Sequence, residues 1–211
     1  RKNMDENVLF VTIVGSHVWN MNTPESDTDY MIVFQQPTYD ILSGRALEMN
    51  RPQKKYVDTE NRDLQYMEIG HLVNLLIKGN VNAIWAVTTP IITQDSPVLR
   101  DLRDITIKNL SRMSYASIRG MAISQYNDNE KRPKMPSNKA YKTCLRTLNF
   151  GVTLFDTGKI VFAPVTHVVG QTEILERFDD LSDAYERTTL PERPNEQEFR
   201  NFLYDLRVWE L

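Results

Sequence analysis

Asp27 and Asp29 are separated by one residue, and in an extended chain that spacing points both carboxylates to the same side. Two such charges a few ångströms apart repel unless a cation lies between them. Carboxylate oxygens alone suit Mg²⁺ or Mn²⁺, and Mg²⁺ held by few carboxylates completes its shell with substrate phosphates. A third carboxylate from a neighbouring strand would close the set. Asp63, which opens a later extended segment, is the first choice, and Glu68, near the end of the same segment, is the second. Upstream, Gly15-Ser16 follows an apolar run directly. Glycine permits a tight turn and close approach of a phosphate to the backbone, and the serine hydroxyl and nearby N–H groups can donate to phosphate oxygens. Phosphate cradle, connector and cation-binding acids thus follow one another within fifteen residues.

These groups need strands to hold them. Val8–Val14 is apolar, β-branched and stopped by Gly15, which predicts a buried strand. Tyr30–Phe34 predicts a second, ended before Pro37, and the alternation of 63–68 a third. Residues 35–60, with Pro37, Gly44 and Pro52, predict loops with one short element. His71–Lys78 turns to helical period, with Gly79-Asn80 as its stop. Beyond Thr89-Pro90 the pattern is mostly helical. Ser96-Pro97 is a cap and first-position pair for a helix to about residue 111. Further helices are expected over about 114–126, from a Ser137 cap to about Asp156, and over about 195–209, with a polar loop at 127–137. The expected fold is therefore α+β: a small mixed sheet in residues 1–90, then a helical, substrate-binding portion in 91–211.

The run Gly15-Ser16-His17-Val18-Trp19-Asn20-Met21-Asn22-Thr23-Pro24-Glu25-Ser26-Asp27-Thr28-Asp29-Tyr30 resembles the signature of the DNA polymerase β-type nucleotidyltransferase superfamily. It is most similar to the branch that includes RNA-ligase-associated RNA-repair members. Lys78-Gly79-Asn80 after the third strand agrees with that branch. So do Lys139-Ala140-Tyr141 with Leu145-Arg146, and Thr157-Gly158-Lys159-Ile160, so the likeness spans roughly 8 to 162. Asn20, Met31 and Thr143 depart from it, standing where the branch has Gly, Arg and His.

The resemblance implies a polymerase β-like palm and a nucleoside triphosphate bound with two Mg²⁺ or Mn²⁺ ions. A hydroxyl would attack the α-phosphate in line and pyrophosphate would leave. Asp27, Asp29 and Asp63 would be catalytic and metal-binding, and Gly15, Ser16, Ser26, Lys139, Lys142 and Arg146 would bind the nucleotide. The implied acceptor is the 3′ end of an RNA, as in tRNA repair. A protein acceptor, as for antitoxin-like adenylylating enzymes, is an alternative that the long helical portion disfavours. A non-catalytic nucleotide-binding regulator is another, disfavoured by three carboxylates that a binding module does not need.

Composition bounds the partners. With 25 basic and 28 acidic residues the net charge is −3, which excludes a histone-type or tail-type nucleic-acid binder but leaves room for a local patch. Such a patch is expected from Lys131, Arg132, Lys134, Lys139, Lys142 and Arg146, the last three at i, i+3 and i+7 on one helix face. A single cysteine, Cys144, excludes an internal disulfide and a Cys-type zinc site, and fits a reducing, cytoplasmic setting. No apolar run reaches membrane-spanning length and no leader is expected at the N-terminus. His17, His71 and His167 are too scattered for zinc. Trp19 is expected to pack beside the cradle, Trp85 and Trp209 to be core or helix-packing residues, and Tyr115, Gln125 and Tyr126 to line a cleft facing the sheet.

Overall fold

The computed structural model describes residues 7–45, 56–57, 62–131 and 138–210, with 56–57 and 129–131 described for their backbone alone. Among the described residues five strands form one mixed sheet. They are β1 (Val8–Val14), β2 (Thr28–Phe34), β3 (Tyr56–Val57), β4 (Arg62–Glu68) and β5 (Ile92–Gln94), in the order β3-β4-β2-β1-β5. β1 runs antiparallel to β2 and β5, and β3 antiparallel to β4, while β2 and β4 are parallel. The helices described are α1 (Thr38–Leu42), α2 (Ile69–Ile77), α3 (Val81–Thr88), α4 (Pro97–Lys108), α5 (Ser114–Lys131), α6 (Lys139–Thr157), α7 (Gln171–Arg187) and α8 (Glu196–Val208). The fold is the expected α+β arrangement, with one correction of extent: the sheet takes its β5 edge from residues 92–94.

Period-2 alternation decides which side of the sheet the helices cover. Phe10 on β1, Met31 and Val33 on β2 and Met67 on β4 are buried, and they join one core with α2, α3, α5 and α6. Thr12, fully buried on β1, donates its hydroxyl to the Ala86 carbonyl at 2.9 Å and ties α3 to the sheet. At the end of α3, the Val87 and Thr89 carbonyls accept from the Arg103 guanidinium at 2.9 and 2.7 Å. Gly151 lets α5 and α7 close on α6, because a methyl there would lie 2.6 Å from Leu181 and 2.8 Å from Ile118. Among the described residues no helix is long and apolar enough to cross a membrane.

Several local signals read as expected. The Ser96 hydroxyl accepts from the Leu99 N–H at 3.2 Å and Pro97 opens α4. Asn20 takes the left-handed conformation at φ 52° that its position requires. Others need correction. α5 continues through 127–131, where a loop was expected. The residue before α6 is Asn138, left-handed at φ 65°, and Ser137 falls outside the described residues. The Asn138 amide donates to the Val169 carbonyl at 2.7 Å and accepts from the Val169 N–H at 2.8 Å, so a distant segment holds it. Trp209 is 90% exposed at the end of α8, not packed, because that helix turns its buried face through Phe199 instead.

Candidate active site

The sheet register places the acids. Val14 of β1 pairs with Asp29 of β2, and Asp29 pairs with Asp63 of β4. Three neighbouring strands therefore bring the end of the first strand, one acid and a second acid into a single row across the sheet. The chain leaves that row at Gly15 and winds into a 3₁₀ turn, Gly15–Trp19. Gly15 has φ +73°, and a methyl at its Cα would lie 2.1 Å from the Asp29 Oδ2. Only glycine lets the turn and the carboxylate meet.

Asp63 is buried and Asp29 is half-buried, and both line a cleft of about 430 Å³ with Gly15. Asp27, expected on the Asp29 side of the strand, stands exposed just before β2 and outside the cleft lining. Among the described residues no three His, Cys, Asp or Glu side chains gather as one ligand group. The donor chemistry still fits a hard divalent cation. Asp29 and Asp63 are register neighbours on adjacent strands, the Asp29 carboxylate lies against Gly15, Asp27 stands two residues before it, and among the described residues no His or Cys lines the cleft. Glu68 sits five residues from Asp63 and is occupied elsewhere. It accepts from the Gly70 N–H at 2.6 Å and the Gln36 N–H at 3.3 Å and forms a buried ion pair with Arg207.

The cleft floor is the same strand face continued: Met31 after Asp29, then Gln65 and Met67 after Asp63. α3 supplies Asn82, Ala83 and Trp85, and α5 supplies Met121, Ser124 and Gln125. α6 supplies one residue, Arg146, whose side chain is buried with no carboxylate partner among the described residues. Its guanidinium lies 4.5 Å from the Trp19 ring and 5.9 Å from the Trp85 ring, and its Nε has no hydrogen-bond acceptor. Burial pushes the guanidinium down to about 10, so it stays cationic at neutral pH. Trp19 is in turn fixed edge-on against Trp85 and Phe162, at 5.2 and 4.9 Å between ring centroids. A buried cation on an aromatic shelf, facing a cleft that also holds carboxylates, is built to meet an anion.

The other expected nucleotide-binding residues, Ser16, Ser26, Lys139 and Lys142, fall outside the cleft lining. Ser26 holds a turn, with its hydroxyl accepting from the Thr23 N–H at 2.8 Å. The hydroxyl of Thr28 approaches His17 Nε2 at 3.4 Å. Lys139 is exposed and Lys142 half-buried on α6, neither on the cleft wall. Arg132, Lys134 and the side chain of Lys131 are outside the described residues. Of the three expected cleft residues Gln125 is there, accepting from the Thr147 hydroxyl at 2.9 Å. Tyr115 stacks on Tyr185 instead, and Tyr126 on Tyr141. His167 pairs with Glu173 at 2.9 Å. Gln65, Asn82 and Ser124 were not expected. Gln65 was open to the period-2 rule from Asp63, whereas Asn82 lies on a helix that the sequence pattern hides.

The sequence matches the profile of the RNA repair pathway DNA polymerase beta family over residues 1–204. No curated protein matches it. Among solved structures, a nucleotidyltransferase-like protein from Exiguobacterium sibiricum 255-15 aligns with 98% of this chain and 69% of its own, at 15% identity and TM-score 0.36. Spectinomycin adenyltransferase AAD(9) from Enterococcus faecialis, solved with ATP and spectinomycin, aligns with 99% of this chain and 94% of its own, at 16% identity and TM-score 0.39.

Proposed function

Since the chain belongs to the RNA repair pathway DNA polymerase beta family, and so to the polymerase β-type nucleotidyltransferases, we propose that it transfers an NMP from an NTP to the 3′ hydroxyl of an RNA. The observation that carries this reading is the row Val14–Asp29–Asp63 across three strands, with Gly15 seated against the Asp29 carboxylate. A row of acids beside a glycine turn suits a phosphate chain that must be neutralised and aligned at once.

In this reading Asp27, Asp29 and Asp63 hold the divalent cations, Mg²⁺ or Mn²⁺. When bound, those ions neutralise phosphate charge and make the attacking hydroxyl more acidic. The chain's own groups do the positioning. The Gly15 and Ser16 N–H groups and the Ser16 hydroxyl receive the β- and γ-phosphates. Arg146 adds a cation that the low-polarity shelf of Trp19 and Trp85 makes more effective than one in water. Because Trp19 ends the Gly15 turn, the Arg146 contact also steadies the cradle. In this reading residues 1–90 supply the reacting centre and most of the cleft wall, and the helical portion adds Met121, Ser124, Gln125 and, through α6, Arg146.

Incubation with each α-labelled NTP and Mg²⁺ or Mn²⁺, with RNA or with whole-cell extract, tests the proposal. Label in RNA is the expected result. Label in a protein would replace the acceptor, and no label in either would refute transfer.

A further inference from the structure

Three cations of α6 step outwards from the cleft along the helix. Arg146 is buried at the cleft, Lys142 one turn nearer the helix start is half-buried, and Lys139 at the start is exposed. The spacing of four and then three residues keeps them on one face, over about 10 Å of helix axis. None of the three has a carboxylate partner among the described residues, and Lys142 reaches only the Thr166 carbonyl at 3.4 Å. Elsewhere several helical cations are matched to acids, as Lys108 is to Glu198, Arg177 to Asp180 and Arg200 to Glu196. On the segment beside Lys142 the acid Glu173 is already engaged by His167 at 2.9 Å.

In a protein of net charge −3, these three cations without carboxylate partners among the described residues form a local positive strip. The strip begins in the cleft and rises along one helix to solvent. A triphosphate held at Gly15 and Arg146 leaves the outer part of the strip unused, because neither Lys139 nor Lys142 lines the cleft. An elongated polyanion with its end in the cleft would use all of it.

We propose that α6 is the entry track for the acceptor, with Lys142 and Lys139 binding successive backbone phosphates of a single-stranded polynucleotide whose 3′ end lies in the cleft. This rests on the nucleotidyl-transfer reading and assigns the two lysines to the acceptor, not to the nucleotide. Phosphate contacts of this kind carry no sequence preference and are strongly salt-dependent.

The test compares the full chain with the Lys139→Gln/Lys142→Gln and Lys139→Arg/Lys142→Arg variants. Anisotropy of a fluorescein-labelled single-stranded oligoribonucleotide is read across a salt series. ATP with Mg²⁺ is titrated separately against tryptophan emission, since Trp19 and Trp85 line the cleft. Losing two single-strand phosphate contacts lowers the slope of log K against log salt by about 1.4, or about 25-fold in affinity at 0.1 M salt. The expected result is that loss in the glutamine variant, recovery in the arginine variant, and an ATP titration that stays in place. Unchanged RNA affinity and slope would overturn the inference, as would a loss confined to ATP. A wild-type chain that binds ATP but no RNA overturns this inference alone. One that binds no ATP overturns the transfer reading and this inference with it.

Discussion

Gly15→Ala isolates the contact on which the site depends. The native φ of +73° costs an alanine about 1–2 kcal/mol. For a chain of 211 residues that lowers the melting temperature by roughly 2–8 °C. The larger effect falls on the acid. The new methyl would sit 2.1 Å from Asp29 Oδ2, where side-chain contacts do not go below 3.0 Å, so the carboxylate or the turn must yield by roughly 1 Å. A displacement of that size in a reacting centre costs about 100-fold in rate, or about 2.7 kcal/mol of barrier. Single-turnover transfer of labelled NMP to RNA gives the rate, and a thermal melt gives the stability, so unfolding and misplacement are separated. Transfer within threefold of wild type in a folded Gly15→Ala protein would refute the reasoning. Gly120 is the control: it lies within α5 and a methyl there meets nothing within 4 Å. Gly120→Ala should stabilise the protein by about 0.5–1 kcal/mol and leave transfer unaltered.

Arg207→Met should cost about 3 kcal/mol in urea unfolding, because Glu68 stays buried without its cation. Pairing it with Glu68→Gln should recover part of that loss, and a single-variant cost below about 1 kcal/mol would show the pair to be incidental. Cys144 is fully buried, with its Sγ 3.2 Å from the Ala122 carbonyl, and burial pushes the thiol up to about 12. A thiol-specific chromogenic reagent at pH 8 should therefore leave it unmodified until denaturant is added, and prompt reaction of the native protein would contradict its burial.

What the sequence made legible was whatever depends on local chemistry. The place of Asp29 on β2, the glycine after β1, the Ser96 cap and the left-handed Asn20 are each decided by neighbours within a few residues. What stayed hidden depends on contacts far along the chain. α3 is buried on nearly every side, so its sequence lacks the amphipathic period that marks a surface helix. β5 is three residues long, too short to show alternation, and exists because β1 offers an edge. Arg146 reads from sequence as one of three lysines and arginines on a helix face. Its burial on Trp19 and Trp85 comes from tertiary packing and distinguishes it from the other two. Asp63 and Glu68 were both open as the third acid. The parallel register sets Asp63 beside Asp29, and Arg207 together with the start of α2 engages Glu68.

The central claim is that the carboxylates of neighbouring strands β2 and β4 form one reacting centre. Its most direct test is single-turnover transfer of α-labelled NMP with Mg²⁺ by the wild type, Asp29→Asn and Asp63→Asn, each confirmed as folded by its melt. Both variants should lose transfer by about 10³-fold or more, the scale of several kcal/mol that cation-held phosphate charge supplies. Transfer within threefold of wild type in either folded variant would contradict the account.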